Sequence, residues 1–191
     1  SFFIRLAGCN LNCAWCDTAH ARTGGRRMSV GRILRAVTKH PGVDHITVTG
    51  GEPLCQDGAV ELMRRLLVSH DVQLETNGSI GLGAVPKGVR KIVDVKTPSS
   101  GEADSFRMEN LSLLDERDEI KFVIADRTDY TFARTFVKKH LAKAPTVVNF
   151  SPVRGAMQPA ELAGLILTDG LGVRLNIQLH TILWPAGEPK K

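Results

Sequence analysis

Apolar and polar residues alternate along the chain in two periods that take turns. The opening stretch has period two: Phe2, Ile4 and Leu6 share one face of a strand, and Phe3 and Arg5 the other. A helical period follows, capped by Ser29 and running to about residue 39, with Ile33, Leu34 and Val37 as its apolar stripe. Residues 44–49 read as a short strand, and Asp57 stands where it would cap a helix to about residue 69 that turns Val60, Met63, Leu66 and Leu67 inward. Strands are predicted over 72–75, 91–96, 119–125 and 146–150, and helices over 129–140 and 159–167, the second with Pro159 in its first turn. A last strand is predicted over 173–180, with Val173, Leu175, Ile177 and Leu179 on one face and Arg174, Asn176, Gln178 and His180 on the other.

Strands that alternate with helices or loops make a mainly parallel sheet. Polar, glycine-bearing motifs recur just after the strands, and α/β barrels place their sites at strand C-terminal ends. Some connections are too short for full helices. The expected fold is therefore α/β, an incomplete, TIM-like partial barrel of about six to seven mainly parallel strands. The whole chain, 1–191, is expected to be one domain with a flexible tail over 185–191. Its abrupt opening on Ser1 and Phe2 points to an absent upstream segment.

Composition narrows the setting. No apolar run is long enough to span a bilayer, and no signal peptide is expected. Clustered cysteines without a disulfide pattern point to a reducing compartment, hence the cytoplasm. The net charge of +5 suits an anionic substrate or an acidic electron donor. Basic residues do not interleave with aromatics as a nucleic-acid surface requires.

Three of the four cysteines, Cys9, Cys13 and Cys16, fall in one short loop after the first strand. At this spacing one loop can wrap a single metal centre, and soft thiolates suit zinc or an iron–sulfur cluster. His20, four residues after Cys16, would complete a closed Cys3His zinc site. Three ligands alone would leave one iron of a four-iron cubane open to a ligand. Cys55 reads as a small buried residue. Arg5, ahead of the loop, is either a solvent-facing edge residue or an anion ligand. Asp17 and Thr18 are either turn residues or, through the Thr18 hydroxyl, a hard-cation site. Gly50 and Gly51, at a strand end, allow close backbone approach to a ligand, and Glu52 can accept from an ammonium group.

The Cys9–Cys13–Cys16 loop followed by Gly50-Gly51-Glu52-Pro53 resembles the signature of radical S-adenosylmethionine (SAM) enzymes. Narrower phrases are Cys16-Asp17-Thr18, Glu75-Thr76-Asn77-Gly78, Lys96-Thr97-Pro98-Ser99-Ser100-Gly101, Ser151-Pro152 and Gln178-Leu179-His180. Together these resemble the 7-carboxy-7-deazaguanine synthase family from Phe3 to Trp184. The resemblance implies conversion of 6-carboxy-5,6,7,8-tetrahydropterin to 7-carboxy-7-deazaguanine with loss of ammonia, in queuosine and deazapurine biosynthesis. It implies a [4Fe–4S] cluster on Cys9, Cys13 and Cys16, SAM, and Mg2+ on Thr18. Arg5, Thr49 and His180 would meet the pterin, with His180 catalytic. Trp15, Asp17, Gly50, Gly51, Glu52, Thr97, Pro98, Ser99, Ser151, Pro152, Val153 and Arg154 would hold SAM. A flavodoxin- or ferredoxin-type donor and a homodimer are also implied. The competing readings are a glycyl-radical-enzyme activase, which shares the cysteine loop, and a zinc module that binds RNA.

Overall fold

A computed structural model of the protein describes residues 1–178. Seven strands form one sheet: β1 (Phe2–Leu6), β2 (His45–Gly50), β3 (Asp71–Thr76), β4 (Arg90–Val95), β5 (Glu119–Ile124), β6 (Val147–Pro152) and β7 (Arg174–Leu175). Each pairs in parallel with the next in chain order. That order has no reversal, so right-handed crossovers put every helix on the same face. The helices are α1 (Val30–Val37), α2 (Ala59–Leu66), α3 (Arg127–Phe136) and α4 (Pro159–Thr168). Among the described residues the sheet does not close on itself, the expected partial barrel. Short 3-10 turns replace helices between β3 and β4 and between β4 and β5. No helix among the described residues is long and apolar enough to cross a membrane.

The helix-covered face carries the core. Ile46, Val48 and Leu74 pack with Leu62, Met63 and Leu66, and Phe122, Ile124 and Phe150 with Tyr130, Ala133 and Leu162. Each large side chain so buried contributes about 1.5–3 kcal/mol. The register places a different set on the open face: Arg5 beside Thr49, Thr47 beside Gln73, Asp94 beside Lys121, Lys121 beside Asn149, and Asn149 beside Arg174. Side chains alternate across a strand, so the open arc is polar because its partner face is apolar.

Several boundaries differ from the sequence pattern. Helix α2 starts at Ala59 after Gly58, without a side-chain cap, so Asp57 does not cap it. Its inward residues are Ala59, Leu62, Met63 and Leu66, while Val60 and Leu67 are half-buried. Helix α3 starts earlier than expected because Asp126 is its cap, accepting from the Asp129 N–H at 2.8 Å; it ends in a π-helical turn, Val137–Leu141. Ser151 and Pro152 lie within β6 rather than after it. Among the described residues the last strand is only two residues long. Phe150 accepts from the Asn176 N–H at 2.8 Å. The next β6 residue facing β7 is Pro152, which has no N–H, so the ladder stops. Leu179, His180, Trp184 and the tail lie outside the described residues.

Candidate functional site

The cysteine loop leaves β1 through Gly8, whose φ of 97° is open to glycine alone without strain. The loop is strapped to its surroundings by backbone. The Glu52 N–H donates to the Gly8 carbonyl at 2.8 Å, Gly8 N–H to Ala21 at 2.8 Å, and Ala14 N–H to Ser100 at 3.0 Å. Gly50 and Gly51 make this approach feasible. A Cβ on Gly50 would lie 2.0 Å from the Leu6 carbonyl oxygen, and one on Gly51 2.3 Å from that of Gly8 and 2.7 Å from Cys9 Cβ. The two glycines thus admit the chain's own β1 and cysteine loop.

Glu52 is fully buried. Its carboxylate accepts from the Leu54 N–H at 3.0 Å, the Asn77 N–H at 2.7 Å and the Thr76 hydroxyl at 2.9 and 3.0 Å. Burial pushes its pKa up, against those hydrogen bonds. The side chain therefore joins the turn after β2 to the end of β3. Cys55 is exposed, not buried as expected. It ends the 3-10 turn Pro53–Cys55, which turns Leu54 toward the core and leaves the Cys55 thiol 3.7 Å from Asn10 Oδ1.

Cys13 is buried, and Cys9 and Cys16 are half-buried. Burial raises the Cys13 thiol, while the Lys96 ammonium opposes that rise and so favours the thiolate a metal needs. The Asn77 amide stands 3.9 Å from the Cys9 sulfur. Arg22 donates to the Cys13 carbonyl at 2.6 Å and to Asn12. Trp15 donates its indole N–H to Ser99 Oγ at 2.9 Å, and Lys96 Nζ lies 5.7 Å from the Trp15 ring centroid. His20 is exposed. Among the described residues no three His, Cys, Asp or Glu side chains converge as a single bound ion requires.

The polar arc continues from the loop. Arg5 is exposed on the edge strand, beside Thr49, and the Thr49 hydroxyl donates to Glu75 at 2.9 Å. Asp94 pairs with Lys96 at 2.9 Å and Lys121 at 3.5 Å. Burial alone would raise the Asp94 pKa, but Lys96 and Lys121 outweigh it and hold it low. Thr18 donates to Asp17 at 2.7 Å, which leaves its oxygen lone pairs available to a cation. Thr97 is buried and donates to the Val123 carbonyl at 2.9 Å; Pro98 and Arg154 are exposed, and Val153 is half-buried.

Two buried polar atoms on this arc, Asp94 Oδ1 and Ser151 Oγ, have no hydrogen-bond partner among the described residues. Buried polar atoms in native proteins are paired, so a polar ligand fits there. Three soft thiols, a nearby cation and these two atoms fit an iron–sulfur cluster with SAM beside it. Glu75, Asn77, Asp94, Lys96, Lys121 and Arg22 were not singled out for the site from sequence. The period-two alternation of β3, β4 and β5 could have found Glu75, Asp94 and Lys121. His180 lies outside the described residues.

The sequence model of the Radical SAM superfamily matches residues 3–98. A 7-carboxy-7-deazaguanine synthase of Koribacter versatilis is 46% identical, covering 95% of this chain and 87% of its own length. One from Chlorobaculum tepidum is 37% identical, covering 95% and 84%. The crystal structure of QueE from Escherichia coli superposes with a TM-score of 0.73 at 22% identity, over 92% of this chain and 84% of its own, and so shares the fold. Radical SAM enzymes use a [4Fe–4S] cluster and SAM, the donor set this loop fits. The chain belongs to the radical SAM superfamily and, within it, to the family of 7-carboxy-7-deazaguanine synthases.

Proposed function

We propose that the protein converts 6-carboxy-5,6,7,8-tetrahydropterin to 7-carboxy-7-deazaguanine and ammonia. The observation that carries this is the 46% identity, over nearly the whole chain, to a relative of that name. The seating of the cysteine loop on the Gly50–Glu52 turn, at the rim of a polar arc, agrees with it. Cys9, Cys13 and Cys16 would hold the cluster, which together with SAM would supply the radical chemistry for hydrogen removal at the substrate carbon bearing the carboxylate.

The chain's own residues bind, orient and shield. Cys9, Cys13 and Cys16 are assigned to the cluster. Trp15, Asp17, Gly50, Gly51, Glu52, Thr97, Pro98, Ser99, Ser151, Pro152, Val153 and Arg154 are assigned to SAM. Glu52 contributes by shaping the turn, since its own oxygens are taken by backbone and Thr76. Arg5 takes the substrate carboxylate, which a guanidinium can hold bidentately. Thr49 meets the pterin, and His180 is assigned beside it. Thr18 would supply one oxygen to Mg2+, a hard cation that takes oxygen ligands. The chain is read as one radical SAM domain, acting as a cytoplasmic homodimer reduced by a flavodoxin- or ferredoxin-type donor.

The test is an anaerobic turnover. Protein reconstituted with iron and sulfide receives reductant, SAM, Mg2+ and the pterin, and the deazaguanine is sought by mass spectrometry. Product formation is expected. SAM cleavage without product would refute the substrate assignment, and absence of both cluster and cleavage would refute the radical SAM reading of this chain.

A further inference from the structure

Asp129 is wholly buried at the start of α3, and no role above uses it. Its carboxylate meets three donors. The Ser99 N–H reaches Oδ1 at 2.9 Å, the Ala125 N–H reaches Oδ2 at 2.8 Å, and the Ser99 hydroxyl also bonds Oδ2. One of these bonds is ordinary helix-start chemistry. Asp126 accepts from the Asp129 N–H while Asp129 reaches back to the Ala125 N–H, a relative of the reciprocal capping box. The bonds to Ser99 lie outside the α3 cap: they reach the 3-10 turn Pro98–Ser100 in another loop, 30 residues earlier.

A carboxylate only accepts, and a serine hydroxyl has one proton. The Ser99 proton therefore points at Asp129, and the Ser99 oxygen keeps acceptor capacity on its other side. There it meets the Trp15 indole N–H, which can only donate. A reversed hydroxyl would set proton against proton. The Asp129–Ser99–Trp15 chain thus has one direction. It runs alongside the Ala14 N–H to Ser100 bond and the Asn12 N–H to Glu102 bond, which also tie the cysteine loop to the loop after β4.

We propose that Asp129 is a positioning residue for SAM. By fixing the direction of the Ser99 hydroxyl it pins Trp15, which stands between Cys13 and Cys16, and presents Ser99 to SAM as an acceptor only. Ser99 then takes a SAM hydroxyl or ammonium proton and does not donate to the SAM carboxylate. This rests on the radical SAM reading of the site and not on the identity of the pterin.

The experiment uses reconstituted protein without pterin. SAM affinity is measured by equilibrium dialysis, iron by assay, and the indole N–H hydrogen bond by ultraviolet resonance Raman in a Trp184→Phe background, which leaves one of the chain's two tryptophans. Asp129→Asn offers an amide donor where an acceptor stood. It is expected to keep its iron, bind SAM about tenfold more weakly and lose the hydrogen-bonded indole signature. The Asp129→Asn/Ser99→Ala pair is expected to bind SAM no more weakly than Ser99→Ala alone. Asp126→Ala weakens the cap without touching Ser99, and is expected to leave SAM affinity and the indole signature unchanged. Additive losses in the pair, an unaltered indole signature, or an Asp126 variant that copies the Asp129 variant would each overturn the proposal. These readouts need no turnover. A parent that binds SAM yet makes no deazaguanine would sink the substrate assignment alone, and one that binds neither iron nor SAM would sink both.

Discussion

A single methyl group at residue 51 tests the contact on which the site is built. In Gly51→Ala the new Cβ would lie 2.3 Å from the Gly8 carbonyl oxygen, 2.8 Å from its carbon and 2.7 Å from Cys9 Cβ, where ordinary contact begins at 3.4 Å. These neighbours are backbone and the root of a cysteine, so none can swing aside by a rotamer change. The loop must instead withdraw by about 1 Å, the difference between the oxygen contact and an ordinary one. Withdrawal weakens the Glu52 N–H to Gly8 bond at 2.8 Å and strains the Gly51 N–H to Leu6 bond at 3.1 Å. Overpacking costs about 1–3 kcal/mol, and a lost backbone bond costs about 1 kcal/mol more. The expected loss is roughly 2–4 kcal/mol, a large share of a typical total of about 5–15 kcal/mol. Urea unfolding of the metal-free protein measures it, and iron per chain after reconstitution measures displacement of Cys9. Gly83→Ala is the control, because a Cβ there meets nothing within 4 Å. If Gly51→Ala unfolds within about 0.5 kcal/mol of the parent, the size of a neutral surface change, and takes up full iron, the packing argument is wrong.

Other outcomes follow from the arc and its base. Asp118 is 1% exposed and holds Lys91 Nζ at 2.8 Å and the Lys91 N–H at 2.7 Å. Asp118→Ala should cost about 3–5 kcal/mol in urea unfolding, by leaving a buried lysine unpaired; a loss below 1 kcal/mol would mean the pair is solvated. Asp94, held below its ordinary 3.8 by Lys96 and Lys121 despite burial, contributes stability above that value and loses it as pH falls through the lowered one. Below about pH 4 the parent's melting temperature should therefore fall more steeply than that of Asp94→Asn, and parallel curves would deny the shift. Arg5→Ala should raise the pterin KM roughly tenfold or more, the loss of a charge-assisted pair, with the SAM KM little changed; equal shifts would mean a structural role. Thr18→Ala should weaken the Mg2+ response while sparing SAM affinity, and an unaltered Mg2+ titration would remove it as a ligand.

The readings that held are those carried by local chemistry. The Ser29 cap is where its side chain implied, accepting from the Arg32 N–H at 3.3 Å. The Cys9–Cys13–Cys16 loop and the Gly50–Gly51–Glu52–Pro53 turn carried the resemblance to the radical SAM superfamily, which the family match bears out, although the cysteine spacing alone left zinc open. The readings that failed, the Asp57 cap among them, turned on how turns rotate and which strands meet. Cys55 was judged by residue type, but its exposure is set by which way a 3-10 turn rotates. The last strand was judged by its own alternation, but its ladder length is set by a proline in the neighbouring strand.

By itself the sequence determined the parallel α/β order, the polar phase of the strands and the clustering of three soft thiols in one loop. Each depends on residues a few positions apart, where period and spacing act directly. Only the tertiary structure decided that Gly50 and Gly51 make room for β1 and the cysteine loop. It also decided that the Glu52 carboxylate faces inward to β3. It brought Lys121 to Asp94 and set Lys96 against the Trp15 ring. It placed Asp129 behind Ser99. These are contacts between segments 30 or more residues apart in the last case, and their direction follows from strand register and burial, which no local pattern encodes.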